Sequence, residues 1–278
     1  MTSSTLDLQA IAFIGGGNMA SALIGGLRRQ GLAGELIEVV EPVAEQRQKL
    51  QAQWGVQTCE RAHDGLGRAA LVVWAVKPQI FAEAAAQTAP HTPKALHLSV
   101  AAGISTDSMA VWLNSQRIVR AMPNTPALIA RGITGLYARP AVSTQERHRI
   151  EAVIGSTGEQ LWLEHEDQLN AVTALSGSGP AYVFYFLEAM IEAGISMGLS
   201  PQQAQQLALA TFGGAAALAA GSAESPQQLR ARVTSKGGTT HAAISTMDSA
   251  GLKQHFMAAM IAAQVRAREL GEEFGRSA

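Results

Sequence analysis

The stretch AIAFIGGGNMASALIGGL, residues 10–27, decides the fold. Its four apolar residues 11–14 read as a strand, and residues 18–30 read as a helix with Met19, Leu23 and Leu27 spaced at four. Between them Gly15-Gly16-Gly17-Asn18-Met19-Ala20 fits G-x-G-x-x-A. In that pattern the first glycine permits a tight turn, the second lets backbone approach a pyrophosphate, and the small third residue lets helix pack on strand. The helix N-terminus then offers free N–H groups and a partial positive charge to an anion. A plain glycine turn in an α/β protein satisfies the same pattern, so neighbouring segments must decide.

Working outward, residues 36–40 read as a second strand ending at Glu41-Pro42, followed by a polar helix over 43–53. The run ALVVWAV (70–76) is continuously apolar, as expected of a parallel strand covered on both faces, and Lys77-Pro78 ends it. ALHLSV (95–100), RIVRAM (117–122) and GITGLYA (132–138) read as further strands. Alternating β and α segments imply a doubly wound, mostly parallel sheet. Beyond about residue 166 the β-branched runs disappear and Ala, Met, Leu and Gln dominate. Helices are expected over 180–197, 201–220, 226–233, 240–249 and 252–274, three with proline in the first turn. The expected organisation is an α/β domain over 1–166 and an all-α domain over 167–278.

Composition limits the function classes. With 47% apolar and 15% charged residues, the 278-residue chain can build sizeable cores. Lys plus Arg number 21 against 22 Asp plus Glu, which argues against binding along a nucleic acid or an anionic membrane. The single cysteine, Cys59, suits a reducing compartment, and the N-terminal MTSSTLDLQA does not read as a signal peptide, so a cytoplasmic location is expected. The uncharged run 207–222 is too short and too rich in Ala and Gly for a membrane span. No H-E-x-x-H or paired-cysteine motif points to a metal.

Glu41 lies 24 residues after Gly17, near the spacing at which an acidic residue reaches the adenosine ribose. It would repel a 2′-phosphate and favour NADH, unless Arg47 compensates; an ordinary strand-end carboxylate remains the other reading. Three further segments fall at carboxyl ends of strands, where ligands of open α/β sheets sit: AVKPQ (75–79), VAAGIS (100–105) and MPNTPAL (122–128). Each could also be a plain loop, and Lys77 an ordinary surface lysine. Far along the chain, VTSKGGTTHAAI (233–244) joins small residues to a helix start. Ser235, Thr239 and Thr240 there could cap a helix or receive an anion. LSGSGPAY (175–182) has the same double reading around Ser178. His97, in an apolar strand, reads as structural, His241 as a surface histidine, and His165 and Glu166 are undecided.

Taken together, FIGGGNMA, AVKPQ, VAAGI, RAMPNTPAL, AVTALSGSGPAY, EAGISMGLS and RARVTSKGGTTHAAI resemble the pyrroline-5-carboxylate reductase family over nearly the whole chain. The resemblance implies a Rossmann domain followed by a helical dimerisation domain, NADPH or NADH as cofactor, no metal, and a homodimer that can assemble into a decamer. It implies that Gly15, Gly16, Gly17, Asn18 and Met19 bind the cofactor phosphates and that Glu41 lies at the adenosine end. Ala75, Val76, Lys77 and Ala102 line the nicotinamide side. Ser178, Ser235, Gly238, Thr239 and Thr240 form the substrate site, with Thr240 and Lys77 the candidate catalytic residues. The implied reaction is hydride transfer to the carbon of a small cyclic imine bearing a carboxylate, the last step of proline biosynthesis. The Thr240 hydroxyl is the candidate hydrogen bond to the ring nitrogen, and the imine's proton can come from solvent. Lys236 stands where the family usually has proline, and Ala62 where it often has asparagine. Two other readings fit parts of the chain: a two-domain hydroxy-acid dehydrogenase, which would have only His241 as base, and a nucleotide sensor without turnover.

Overall fold

The computed structural model describes residues 10–275 and divides into two compact units. The first runs through Ser178 and includes the chain from Ala263 onward; the second is Gly179–Ala262.

The first unit is built on eight strands: β1 (Ile11–Ile14), β2 (Ile37–Val40), β3 (Gln57–Cys59), β4 (Leu71–Trp74), β5 (Leu96–Ser99), β6 (Ile118–Met122), β7 (Gly132–Ala138) and β8 (Gly158–Trp162). Their order in one sheet is β3-β2-β1-β4-β5-β6-β7-β8. Neighbours run parallel except β6 and β7, which are antiparallel. The chain winds one way from β1 through β2 to β3 and the other way from β4 onward, so β1 and β4 flank the switch point. Ile14 pairs with both Val40 and Trp74, which brings the carboxyl ends of β1, β2 and β4 level. A ligand crevice is expected there.

Both faces of the sheet are buried, which explains the continuous apolar runs. Ile11, Phe13 and Val73 face one core with residues of α1 (Asn18–Arg29), α2 (Ala44–Trp54) and α5 (Thr144–Gly155). Ala12, Ile14, Val72 and Trp74 face the other, with Phe81 of α3 (Phe81–Thr88) and Met109 of α4 (Thr106–Leu113). This one-residue alternation of faces is the pleat of a strand covered on both sides.

Strands β3 and β8 carry no strand signal in the sequence pattern. β3 is three residues long, and β8 alternates exposed and half-buried residues without an apolar run. The helix expected from residue 180 in fact continues an earlier one: α6 (Gln168–Val172) passes through a π-helical turn, Thr173–Gly177, into α7 (Gly179–Ser196). Ser178 is therefore inside the helix, donating its N–H to Thr173 O at 2.8 Å, and does not cap a helix start. Pro180 has no N–H to give, and the wide turn just before it accommodates that missing bond. Leu169 and Ala174 are buried against the sheet unit, and a β-carbon on Gly135 would lie 3.0 Å from Val172. The compact division falls after Ser178.

The second unit contains α7, α8 (Pro201–Ala220), α9 (Pro226–Arg232), α10 (Thr239–Ser249) and the start of α11 (Leu252–Gly275). Ser200 and Ser225 each form a capping box, with Gln203 and Gln228, ahead of Pro201 and Pro226 at the first helical position. α7 and α8 approach closely where a β-carbon on Gly194 would lie 3.0 Å from that of Ala204. Phe256 makes edge contacts with Tyr182 and Phe186 at 5.7 and 5.5 Å. Even so, only Leu187, Gly194, Ala204 and Ala208 of this unit are buried.

Candidate active site

A cleft of about 700 Å³ opens at the carboxyl ends of β1, β2 and β4, within the size range of small-molecule sites. Gly15, Gly16, Gly17, Glu41, Ala75, Val76 and Lys77 all line it, with Glu60, Arg61 and Ala62 at the side of β3. The glycines fit their places for different reasons. Gly15 has φ +93°, and a β-carbon there would sit 2.7 Å from Ala75 O, so the turn and the closeness of β4 both require glycine. At Gly16 a β-carbon would meet Leu50 at 2.7 Å. At Gly17 it would meet nothing within 4 Å. That open space lies at the N-cap of α1, which has no side-chain cap, so the first N–H groups of the helix are left for a ligand.

Glu41 is 9% exposed and holds the glycine loop from below. Its Oε2 accepts from Gly16 N at 2.9 Å and its Oε1 from Val43 N at 2.9 Å. Arg47 donates to the carbonyls of Glu41 and Pro42 at 2.7 and 2.8 Å. Gln46 donates its amide to Gly16 O. Nothing in the sequence pattern announced this bracing of the loop by α2.

Lys77 is exposed at the start of the short turn Pro78–Ile80. Asn18 is exposed, and Met19 and Ala102 are half-buried; these three do not line the cleft. Ala102 belongs to the turn after β5, where Gly103 has φ +78° and a β-carbon on Gly271 of α11 would come within 3.1 Å of Gly103 O.

The undecided residues have structural partners. Glu166 accepts from Thr106 N at 2.8 Å, from the Thr106 hydroxyl at 2.5 Å and from Arg120 at 2.9 Å. His165 is exposed. His97 is buried and accepts from Trp74 Nε1 at 3.2 Å; burial, aided by the charge of Arg117, pushes its pKa down to about 4. Among the described residues, Glu38, Cys59 and His63 form the one group with three ligand atoms within 4.8 Å of each other. There Glu38 is already paired with His63 at 2.8 Å and Arg68 at 3.1 Å, and burial pushes the Cys59 thiol up to about 11, which keeps it protonated.

In the first unit, Asn124 of the MPNTPAL segment accepts from Ile133 N at 3.0 Å and donates to the Ser176 hydroxyl at 3.1 Å. It thereby ties the π turn beside Ser178 to the sheet. A β-carbon on Gly177 would lie 2.4 Å from the methyl of Met122, so a larger residue there would have to displace the end of that side chain.

In the second unit, Gly237 has φ +77° and Gly238 is the N-cap of α10, with Gly238 N bonded to Ser235 O at 3.0 Å. No side chain caps this helix, which starts at Thr239, one residue earlier than expected. Ser235 and Thr239 are exposed, and Gly238 and Thr240 half-buried. The capping reading of Ser235 and the threonines is thus not realised, and the first N–H groups of α10 are open, as at α1.

A pyrroline-5-carboxylate reductase of Pseudomonas aeruginosa is 44% identical over 268 residues, covering 96% of this chain and 98% of the relative. The chain belongs to the pyrroline-5-carboxylate reductase family. A pyrroline-5-carboxylate reductase of Haemophilus influenzae is 42% identical, covering 94% of this chain and 97% of that one. The family model for pyrroline-5-carboxylate reductase dimerisation matches residues 166–270, and that for NADP oxidoreductase, coenzyme F420-dependent, matches residues 10–103. Among solved structures, the pyrroline-5-carboxylate reductase of Coxiella burnetii superposes with TM-score 0.89 at 37% identity, covering 95% of this chain and 99% of that one. The Plasmodium falciparum pyrroline carboxylate reductase with NADP bound superposes with TM-score 0.85 at 26% identity, covering 95% and 98%. For a pyrroline-5-carboxylate reductase, the expected parts are an N-terminal Rossmann domain and a helical dimerisation region, and both are present. The match to a dimerisation model supports homo-oligomerisation of the chain.

Proposed function

We propose that this chain reduces 1-pyrroline-5-carboxylate to L-proline with NADH or NADPH, working in the cytoplasm as a homodimer that can assemble into a decamer. Residues 1–166 serve as the dinucleotide-binding part and 167–278 as the substrate-binding and dimerisation part. The observation that carries the reading is the glycine cleft: open space above Gly17, an uncapped α1 and Glu41 at the end of β2 all fit a dinucleotide.

In this reading the backbone N–H groups following Gly17, with Asn18 and Met19, hold the pyrophosphate. Ala75, Val76 and Lys77 of the cleft border the nicotinamide, and Ala102, outside the cleft lining, is assigned to the same side by the family resemblance alone. When bound, the reduced cofactor supplies a hydride to the imine carbon. The chain's own task is to bind and orient the substrate. The open first turn of α10, with Ser235, Gly238 and Thr239, receives the substrate carboxylate, because uncapped N–H groups and the helix dipole favour an anion. In this reading the Thr240 hydroxyl is the candidate hydrogen bond to the ring nitrogen, Ser178 is assigned to the substrate, and Lys77 is the candidate positive charge for the reaction. Among the described residues no helix is long and apolar enough to cross a membrane.

The purified protein should oxidise NADH or NADPH when given pyrroline-5-carboxylate and should ignore hydroxy acids. Thr240→Ala should lower kcat/KM by roughly 100- to 1000-fold, the range for losing one hydrogen-bond donor at a reacting centre, while coenzyme binding stays near wild type. Unchanged kinetics would remove Thr240 from the site.

A further inference from the structure

The segment just after β2 offers few free donors to a ligand. A 2′-phosphate on the adenosine ribose needs free N–H, hydroxyl or guanidinium donors just after β2. Here that segment is Glu41-Pro42-Val43. Pro42 has no N–H, Val43 N is bonded to Glu41 Oε1 at 2.9 Å, and no side chain of the three carries a donor. Arg47, the residue that could have compensated, directs its Nη1 to the Glu41 and Pro42 carbonyls, and its Nη2 lies 4.0 Å from Glu60 Oε2. Arg61, at the side of β3, has its Nε 3.5 Å from the other oxygen of Glu60 and an 84% exposed side chain, so it is only loosely held. At the end of β2 itself stands the Glu41 carboxylate, fixed by two backbone donors and keeping further lone pairs on both oxygens. Such a group accepts hydrogen bonds from a ribose diol and repels a phosphate.

We infer that Glu41 sets the coenzyme preference and that the chain favours NADH over NADPH, in contrast to the NADP carried by the Plasmodium relative. This rests on the proposed dinucleotide cleft, and the test separates the two. ADP-ribose and 2′-phospho-ADP-ribose are titrated into the full-length protein by calorimetry, with no imine present. The unphosphorylated fragment should bind about tenfold more tightly or better, as expected for a like charge held a few ångströms away near the surface. Glu41→Gln and Glu41→Ser should bring the two fragments to within about threefold by removing that charge. The kcat/KM ratio for NADH over NADPH should follow the same order. Equal or tighter binding of the phosphorylated fragment by the wild type overturns the inference, and so does an unaltered ratio in whichever variant folds. Should neither fragment bind, the cleft reading itself fails. Selective fragment binding without imine turnover would count against the proposed reaction alone.

Discussion

His97 shows how far one side chain's surroundings decide its chemistry. It lies on β5 with Trp74 donating to its Nδ1, so the neutral ring carries its proton on Nε2, and charging it would put a cation in an apolar core. Its pKa of about 4 lies below the ordinary 6.5. The unfolded chain therefore binds this proton first as pH falls. The stability tied to neutral His97 is complete above about pH 6.5 and drains away as the pH approaches 4, by up to about 3 kcal/mol. Urea unfolding at pH 7 and pH 5 should show this loss, and His97→Gln, which keeps an acceptor for Trp74, should flatten it. The same kind of reasoning reached some site residues and not others. Gly15 could be read from sequence because only glycine tolerates φ +93° against Ala75 O. The acid at position 41 was legible from its spacing, but its two bonds to Gly16 N and Val43 N were not, since they depend on where the loop places its amides.

At the scale of elements, continuous apolar runs marked β1 and β4 because both faces of those strands are covered. The edge strands escaped the same logic. β3 and β8 have a partner on one side only and carry polar residues, and nothing local says that β7 enters against β6 and then runs with β8. The π turn was hidden as well: Ser178-Gly179-Pro180 has the composition of a helix start, yet Leu169 and Ala174 bury themselves against the sheet and draw the helix back to Gln168. α7 presents the converse problem. Val183, Phe184 and Tyr185 on it are exposed, at 41%, 58% and 71%, although such side chains usually find a cover. In the proposed homodimer the partner covers them. Phe184→Asp should then turn the dimer into monomer in size-exclusion chromatography with light scattering. If Phe184 faced water in solution, the change would leave both the assembly and the stability within about 0.5 kcal/mol of wild type.

For the whole molecule, the two units differ in what holds them together. The sheet unit has two cores of its own. The stretch Gly179–Ala262 has four buried residues and a set of exposed Met, Leu, Ile and aromatic side chains on every helix but α9, which exposes only small and polar ones. Folding of that stretch and association of chains should accordingly be one event. Thermal unfolding should shift to higher temperature as protein concentration rises, as for any obligate assembly, whereas a monomer would melt at one temperature throughout. Calorimetric scans across a dilution series would distinguish the two. Such a design also means that heredity at this locus is not strictly private: in a cell making both an intact and a crippled version, the sound chains would be paired with faulty ones and dragged down with them.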